Sequence, residues 1–216
     1  MTWRILSALI VLLAALTLIT LGCVNQTAKV TEPLSTQAEK LFVTESGQVL
    51  SADDLGLTQA EMCMLEEKGI ADVASAEVAS LIAGFKVAMP AHIPEGFCAG
   101  KFMVQLSGGG MPEELKPKFD NTQVNQYYTW PGEKYPMFLV TQSPHKFGIS
   151  GSEPTEICGR PGERTFTKAE PGDETPYDHL ALGWESEGRY YAIIAVLGEN
   201  LEEATLEKIA CSVSID

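Results

Sequence analysis

The cysteines are the residues of this 216-residue chain whose chemistry is easiest to assign. Five are present, and no two of them form the C-x-x-C pair that zinc knuckles and redox dithiols use. Four lie in the body of the chain, and an even count favours two structural disulfides in an exported protein. Their pairing stays open at this point, and buried free thiols are the alternative. The disulfide candidates are Cys63, Cys98, Cys158 and Cys211.

The segment from Gly148 to Ser152 is the closest approach to a catalytic nucleophile. A hydrolase elbow reads G-x-S-x-G and needs glycine at the position that Ser152 occupies. Since the segment also lies among turn-forming residues, a surface loop is the favoured interpretation. A serine-type hydrolase, with Ser150 acting beside His145 or His179, is the least favoured alternative.

Metal ligands and phosphate loops have no clear pattern in this sequence. His92, His145 and His179 are far apart and lack partners at helical or C-x-x-C spacing. The acidic residues of the loop 171–179 lack the spacing of a calcium-binding loop. Ser107–Gly110 is not followed by Lys-Ser/Thr and is better read as a hairpin turn than as a phosphate loop. We therefore predict no metal ion and no other cofactor.

Aromatic side chains are the most interesting candidates for ligand binding. Because side chains alternate across a strand, one member of each Tyr-Tyr pair must point to the core and the other to the opposite face. An outward cluster would form an amphipathic shelf for an acyl chain, a glycan or a peptide, and packing of the sheet is the plainer alternative. The ligand-binding candidates are Tyr127, Tyr128, Trp130, Trp184, Tyr190 and Tyr191.

The first 22 residues have the layout of a targeting signal. Arg4 precedes an apolar run from Ile5 to Leu21. Gly22 and Cys23 follow this run and resemble the end of a bacterial lipoprotein signal, in which the cysteine is lipidated and becomes the new N-terminus. The alternatives are an uncleaved membrane anchor and ordinary secretion. All three place the rest of the chain outside the cytoplasm, and we expect a lipid-anchored protein of the cell membrane.

Charge and composition agree with such a location. The formal net charge is −14, which argues against a nucleic-acid partner because cations are needed to displace counterions from phosphates. Residues 23–39 are polar after the lipidated cysteine and contain little to bury, so they are predicted to be a flexible tether. The expected partners are the membrane, through the lipid or anchor, and an unknown ligand or envelope protein.

Capping signals predict three helices in the folded part. Thr58 and Glu61 form a capping box that opens a helix over 59–68, and a second helix is expected over 75–83. A third begins at Asn200, taken as its N-cap, and continues through Cys211. We predict that residues 40–84 form a helical N-terminal extension.

Strand patterns with Pro/Gly turns fill most of residues 85–216 and predict an α+β extracytoplasmic domain. Its expected architecture is one antiparallel β-sheet, free to curve, with helices packed on one face. Turns are expected at 130–133, 159–162 and Gly188. The predicted strands are 85–89, 101–106, 122–130, 136–142, 163–168, 180–185 and 189–197.

Several stretches together resemble an uncharacterised extracytoplasmic domain of bacterial membrane proteins, often found on the outer side of anti-sigma factors. They are Gly84–Phe97, Leu182–Trp184, Tyr190–Ile194 and Leu201–Ala210. The resemblance covers about residues 80–215 and implies a binding or sensory domain or one akin to lipoprotein carriers, with no catalytic residues to carry over. With only four residues before the apolar segment, the layout departs from that of an anti-sigma factor.

The favoured function is therefore that of a membrane-tethered extracytoplasmic lipoprotein whose domain binds or senses an unknown ligand without catalysis. The first alternative is a lipid or lipoprotein carrier with an apolar concave sheet. A serine-type hydrolase is the second.

Overall fold

The fold is centred on an eight-stranded antiparallel sheet with the spatial order β3-β5-β6-β7-β11-β10-β9-β8. The computed structural model describes residues 41–44, 47–106, 122–133, 137–170 and 177–214, which all belong to one compact unit. Its strands are β1 Leu41–Val43, β2 Val49–Ser51, β3 Ile70–Val73, β4 Met89–Pro90, β5 Cys98–Gln105, β6 Gln123–Thr129, β7 Phe138–Ser143, β8 Glu153–Ile157, β9 Arg160–Thr167, β10 His179–Ser186, β11 Arg189–Val196 and β12 Val213–Ser214. Its helices are α1 Ala52–Leu55, α2 Gln59–Lys68, α3 Ala76–Ala83 and α4 Glu203–Ser212.

Two meanders meet side by side to form this sheet. β5, β6 and β7 follow one another as antiparallel neighbours, and so do β8, β9, β10 and β11. The meanders are joined where β7 pairs with β11, and β3 extends the first meander beside β5. β1 with β2 and β4 with β12 form separate small pairings. The α+β fold with an antiparallel sheet is thus confirmed.

Helices cover one face of the sheet, which we call the covered face. It carries Val140, Ile193 and Leu182 in neighbouring register positions of β7, β11 and β10. The opposite side, which we call the second face, carries Thr141, Ala192 and Gly183 in the adjacent row.

Two hydrophobic cores lie between the helices and the covered face. The N-terminal core joins α1, α2 and α3 to β3, β5 and β6, and the C-terminal core joins α4 mainly to β7, β10 and β11. Members of the N-terminal core include Leu55, Met62, Leu65, Val73, Ile82, Val104 and Val124. Members of the C-terminal core include Phe138, Val140, Leu182, Trp184, Tyr191, Ile193, Leu206 and Ile209.

The helices α2 and α3 begin and end where their sequences predict. The hydroxyl of Thr58 accepts the Glu61 N–H at 3.2 Å, and the Glu61 carboxylate accepts the Thr58 N–H at 2.8 Å. This reciprocal capping box satisfies N–H groups that lack partners in the first helical turn. Ser75 caps α3 in a simpler way, and both helices end at a glycine in the left-handed region.

The start of α4 differs from the expected one. Asn200 was predicted as its N-cap, but the helix begins at Glu203 and its N-cap, Glu202, makes no side-chain capping hydrogen bond. Gly198 and Leu201 exchange backbone hydrogen bonds of 3.1 Å, which turns the chain before the helix. This turn places Leu201, which is buried, in the C-terminal core.

The expected strand over Phe85–Met89 is wrong except at its end. Only Met89 and Pro90 pair, with the two residues of β12. Within the segment, the Ala88 N–H donates to Gln142 Oε1 at 2.7 Å, and Gln142 Nε2 donates to the Ala88 carbonyl at 2.7 Å. A buried glutamine side chain therefore satisfies the backbone that a neighbouring strand would otherwise pair with.

The turn expected over 159–162 is displaced toward the N-terminus. Cys158 and Gly159, with φ of 54° and 74°, form the two-residue turn between β8 and β9. Gly162 lies instead within β9, where an added Cβ would stand 2.8 Å from the Gly183 carbonyl oxygen. The turn expected at Gly188 is confirmed, with Glu187 and Gly188 both at positive φ between β10 and β11.

Residues 40–84 do more than extend the domain. Besides helices, this segment contributes β3 to the edge of the main sheet and the pair β1–β2. Its helices cover the same side of the sheet as α4 does. Residues 1–22, the tether 23–39 and the expected hairpin turn at Ser107–Gly110 lie outside the described residues.

Candidate functional site

Side chains alternate between the two faces of the sheet along each strand, and the two Tyr-Tyr pairs follow this alternation. Tyr128 and Tyr191 occupy covered-face positions, in register with Phe138 and with Gln142 respectively. Tyr127 and Tyr190 occupy second-face positions. The candidate aromatic residues are therefore divided between the two sides of the sheet.

Three of the candidates are part of the C-terminal core. Tyr128 stacks on Phe138 with ring centroids 4.4 Å apart, and Trp184 stacks on Tyr191 at 5.6 Å. None of Tyr128, Trp184 and Tyr191 is more than 3% exposed. The Tyr128 hydroxyl donates to Gln126 Oε1 at 2.5 Å, so its polar end has a partner. In this structure a ligand at the surface has no access to these rings.

Trp130 is half-buried at the end of β6. Its ring meets Phe97 edge to face, with centroids 5.1 Å apart, and covers Gly96 so closely that an added Cβ would lie 2.5 Å from it. Glu133 donates its N–H to the Trp130 carbonyl at 3.0 Å, as the turn predicted over 130–133 requires. Trp130 therefore closes one end of the C-terminal core.

Tyr190 lies on the second face at the centre of a group of polar side chains. Its hydroxyl donates a short hydrogen bond to Glu163 Oε1. The other carboxylate oxygen, Oε2, accepts the Ser152 hydroxyl at 2.6 Å, and Lys146 Nζ lies 3.7 Å from Oε1. Phe147 meets the Tyr190 ring edge to face at 4.6 Å. We call Lys146, Ser152, Glu163 and Tyr190 the Glu163 cluster.

The cluster fastens the 144–152 segment, which connects β7 to β8, across the second face. Gly183 lies beneath it, and an added Cβ there would meet the Tyr190 hydroxyl at 2.1 Å and Ile149 Cδ1 at 2.9 Å. The Glu163 side chain is only 15% exposed, although it carries a charge. Three separate stretches of the chain thus converge on one largely covered carboxylate.

The electrostatics of the cluster favour an ionised Glu163 carboxylate and a protonated Tyr190 hydroxyl. Burial alone would raise the pKa of Glu163, but hydrogen bonds from Ser152 and Tyr190 and the charge of Lys146 hold it below the ordinary value. Burial and the bond to Glu163 raise the pKa of the Tyr190 hydroxyl. Since Glu163 stays ionised and Tyr190 protonated near neutral pH, the arrangement suits an anchor better than proton transfer.

Tyr127 and Asp72 lie on the second face at its other end. Burial raises the pKa of Tyr127, and the charge of Asp72 adds to this effect. Burial likewise raises the pKa of Asp72, against the opposing influence of Lys101. Tyr127 is half-buried and belongs to a row of register positions with Leu139, Ile194 and Ala181. We call these four residues the apolar row.

The apolar row includes an exposed residue in the middle of the sheet. Ile194 lies on β11, a central strand, and is 37% exposed. Among the described residues, the helices pack against the covered face and not against this one. Leu139 is buried, so the apolar surface of the row beside the anchored 144–152 segment consists of Ile194 and the half-buried Tyr127 and Ala181.

The Gly148–Ser152 segment does not have the setting of a nucleophile elbow. It connects two strands, whereas the elbow lies between a strand and a helix. Ser150 stands in an exposed turn, and Ser152 is engaged by Glu163. His145 is exposed, and its backbone N–H donates to the Ser143 hydroxyl at 3.2 Å.

The described residues contain one disulfide. Cys158 and Cys211 are bonded, with an S–S distance of 2.04 Å, and join the turn between β8 and β9 to the last turn of α4. The interpretation of two disulfides is corrected, because Cys63 on α2 and Cys98 at the start of β5 are free thiols.

The described part of the chain has neither a group of metal ligands nor a membrane-spanning helix. No three side chains of His, Cys, Asp or Glu come together there as metal ligands would. None of the helices in the same ranges is long and apolar enough to cross a bilayer. Lipidation at Cys23 concerns a residue outside those ranges.

Sequence reasoning missed the Glu163 cluster apart from Tyr190. Glu163 stands in β9, whereas Lys146 and Ser152 lie in the 144–152 segment, so no motif spacing along the chain relates them. The only usable signal is Gly183, a glycine inside a strand, which indicates a close approach by another group. No profile of a known protein family, no characterised protein and no solved structure matches this chain.

Proposed function

We propose that the chain is a membrane-tethered extracytoplasmic lipoprotein whose folded domain binds or senses a ligand of the cell envelope without catalysing a reaction. The observation that carries the proposal is the Cys158–Cys211 disulfide. Structural disulfides persist in oxidising compartments and are rare in the cytosol. The disulfide therefore supports export, which the apolar segment before Cys23 also indicates.

The second face is the proposed ligand surface. The apolar row offers Ile194, exposed on a central strand, and the half-buried ring of Tyr127. The Glu163 cluster holds the 144–152 segment in place beside the row. A surface of this kind is preorganised, so a ligand would not have to order it on binding. The acidic character of the chain favours a neutral or cationic ligand over an anionic one.

Export and lipidation are tested on the mature protein from cell membranes. We expect an N-terminal peptide that begins at Cys23 with lipid mass attached, and Cys158 and Cys211 protected from alkylation until a reductant is added. A soluble cytosolic product with an unmodified Met1 and reduced Cys158 would contradict the proposal. Cys98, which is exposed and free, is the internal control for alkylation.

Ligand binding is tested by photo-crosslinking in intact cells. A benzophenone side chain replaces Ile194 in one variant and Phe166, which is 44% exposed, in a matched control. We expect an adduct at position 194 that is not formed at position 166. Mass spectrometry of the adduct then separates a protein or glycan ligand from a lipid, and no adduct specific to position 194 would contradict the choice of surface.

The carrier alternative needs an apolar cavity for an acyl chain. In the described residues the space between the helices and the covered face is occupied by large buried side chains, Trp184, Tyr191 and Phe138 among them. An acyl chain would therefore need the second face. Lipid bound at Ile194 in the crosslinking experiment would favour this alternative over the sensory one.

The hydrolase alternative depends on Ser150, which stands in an exposed turn. It predicts labelling by a fluorophosphonate probe that is lost in Ser150→Ala. We expect no difference in labelling between the natural chain and this variant.

A further inference from the structure

The hairpin of β1 and β2 has apolar side chains on both of its faces. Val43 pairs with Val49, and Phe42 pairs with Leu50. Leu50 is buried in the N-terminal core, and Phe42 packs against it. Leu41, Val43 and Val49 point the other way, because they alternate with these two residues. A strand that is apolar on both faces is typical of one that is covered on both sides.

The outward side of this hairpin is exposed among the described residues. Leu41 is 49% exposed, Val43 59% and Val49 56%. A single exposed aliphatic side chain is ordinary, but neighbouring ones on the same small surface mark an interaction site. We call Leu41, Val43 and Val49 the hairpin face.

Charge distinguishes this face from the rest of the molecule. Residues 41–44 and 47–51 contain no charged side chain and Glu45 is the one acidic residue of the hairpin sequence 41–51, whereas the chain as a whole has a formal net charge of −14. An acidic protein is repelled by anionic headgroups wherever its carboxylates approach them. The hairpin face is an apolar surface of uncharged side chains, and it can approach a bilayer with less of that repulsion than the acidic remainder of the chain.

Position along the chain points to the same occupant. β1 is the first strand of the described chain, and 17 residues separate it from Cys23. A stretch of this length reaches at most about 60 Å when fully extended. A lipid on Cys23 would therefore keep the hairpin face within about 60 Å of the membrane.

We propose that the hairpin face rests in the interfacial layer of the bilayer that holds the lipidated N-terminus. This inference depends on the tethering proposed above, and it adds an orientation to it. Aliphatic side chains of an anchored protein partition into the boundary between headgroups and acyl chains, and a second such contact strengthens a lipid anchor. The domain would then stand on the membrane in a fixed pose instead of moving freely at the end of its tether.

The test uses the full mature chain in phosphatidylcholine vesicles, some of whose lipids carry a quencher on the acyl chain. Cys63→Ser and Cys98→Ser remove the free thiols, and Val43→Cys carries an environment-sensitive fluorophore. The matched control carries the fluorophore at Phe166→Cys on β9. This strand lies beside the edge strand β8, at the opposite end of the strand order from β3. We expect a blue shift and strong quenching at position 43 and neither at position 166.

A second variant separates membrane contact from a change in folding. Leu41→Ser with Val49→Ser keeps the probe at position 43 and removes the flanking aliphatic groups, which are already exposed. We expect loss of most of the quenching with an unchanged midpoint of urea unfolding. Retention of full quenching in this variant would overturn the inference.

The remaining outcomes identify which proposal fails. Equal quenching at positions 43 and 166 on vesicles that retain the chain would overturn the hairpin contact and leave the tether in place. A chain that carries no lipid and is washed from the vesicles would overturn both. Unquenched probe together with self-association that Leu41→Ser with Val49→Ser abolishes would assign the hairpin face to a second copy of the chain instead.

Discussion

The two halves of this domain hold their helices on the sheet in different ways. In the N-terminal half, α1 and α2 each begin with a reciprocal capping box, at Ser51 and Thr58, and α1 to α3 all end at a left-handed glycine. In the C-terminal half, α4 has no side-chain cap and ends at Val213 in an extended conformation. Local hydrogen bonds thus define the first three helices, whereas they do not define the fourth.

Long-range contacts replace the missing caps in the C-terminal half. The Cys158–Cys211 disulfide ties the last turn of α4 to the turn between β8 and β9. At the other end of the helix, Arg164 of β9 donates two hydrogen bonds to Glu203 Oε1, at 2.9 and 2.6 Å. A helix can thus be specified by its own residues or by its neighbours, and only the first kind is easily predicted from a sequence.

The largest expected effect comes from the aromatic core of the C-terminal half. Trp184→Ala removes a buried ring that stacks on Tyr191, and the loss of packing together with the cavity should lower the free energy of unfolding by about 3 to 5 kcal/mol. Urea unfolding followed by far-UV circular dichroism measures it. Phe166→Ala, at a ring 44% exposed, is the control and should change little. Similar losses in both variants would show that Trp184 does not support the core.

The next effect tests the covalent tie of α4. Replacing both Cys158 and Cys211 by alanine opens a loop with a sequence separation of 53, which should cost about 2 to 4 kcal/mol through the unfolded chain. Equilibrium unfolding with and without reductant measures this loss in the natural chain as well. Cys63→Ser, at a free thiol in the N-terminal half, provides the comparison. Stability that does not respond to reductant would contradict the role given to the disulfide.

A smaller effect is expected from the N-terminal caps of α2 and α4, which can be compared directly. Thr58→Ala removes the capping hydroxyl of α2 and should lower the free energy of unfolding by about 1 kcal/mol, because one N–H of the first turn loses its acceptor. Glu202→Ala at the start of α4 removes no capping hydrogen bond and should have almost no effect. Thermal unfolding of the two variants measures the difference. An equal loss in both would erase the contrast between the two halves.

The smallest effect concerns acid stability. The pKa of Glu163 lies below its ordinary value of 4.5 in the folded protein, so the ionised carboxylate stabilises the fold fully above that value. The contribution is lost as the pH falls through the lowered pKa. Urea midpoints measured from neutral pH down to about pH 3 should therefore fall less steeply in Glu163→Gln than in the natural chain.

Acid also affects the N-terminal half, since hydrogen bonds from Thr58 and Ser51 lower the pKa of Glu61 and Asp54 in the two capping boxes. Glu163→Gln should remove only the C-terminal part of the acid response. Identical pH curves for the variant and the natural chain would mean that the Glu163 cluster adds no measurable stability.

Much of the secondary structure was predictable because its signals are local. The helix predicted over 59–68 is α2 with the same ends, and strands β6, β7, β10 and β11 lie within a few residues of their predictions. β3 and β8 were missed, since each is short and lies at an edge of the sheet. The segment Phe85–Met89 has the alternation of a strand, but the Gln142 side chain takes the hydrogen bonds that a partner strand would have made.

For the candidate surfaces, the sequence predicts which face of the sheet a side chain occupies, but not whether that side chain is buried. The period of two correctly separates Tyr127 from Tyr128 and Tyr190 from Tyr191. It does not indicate that Tyr190 lies beneath the 144–152 segment, or that Glu163 is its partner. Those contacts join positions far apart in the chain, and spacing carries no information about them.

By themselves, the residues of this protein determine the ends of its capped helices, the alternation of its strands, its acidity and the presence of an apolar N-terminal segment, because each depends on neighbours in sequence or on composition. Tertiary structure alone decides which cysteines bond, which aromatic rings are buried and which carboxylate becomes an anchor. The physical reason is that these choices depend on how strands come into register and helices pack, which places distant residues within a few ångströms of one another.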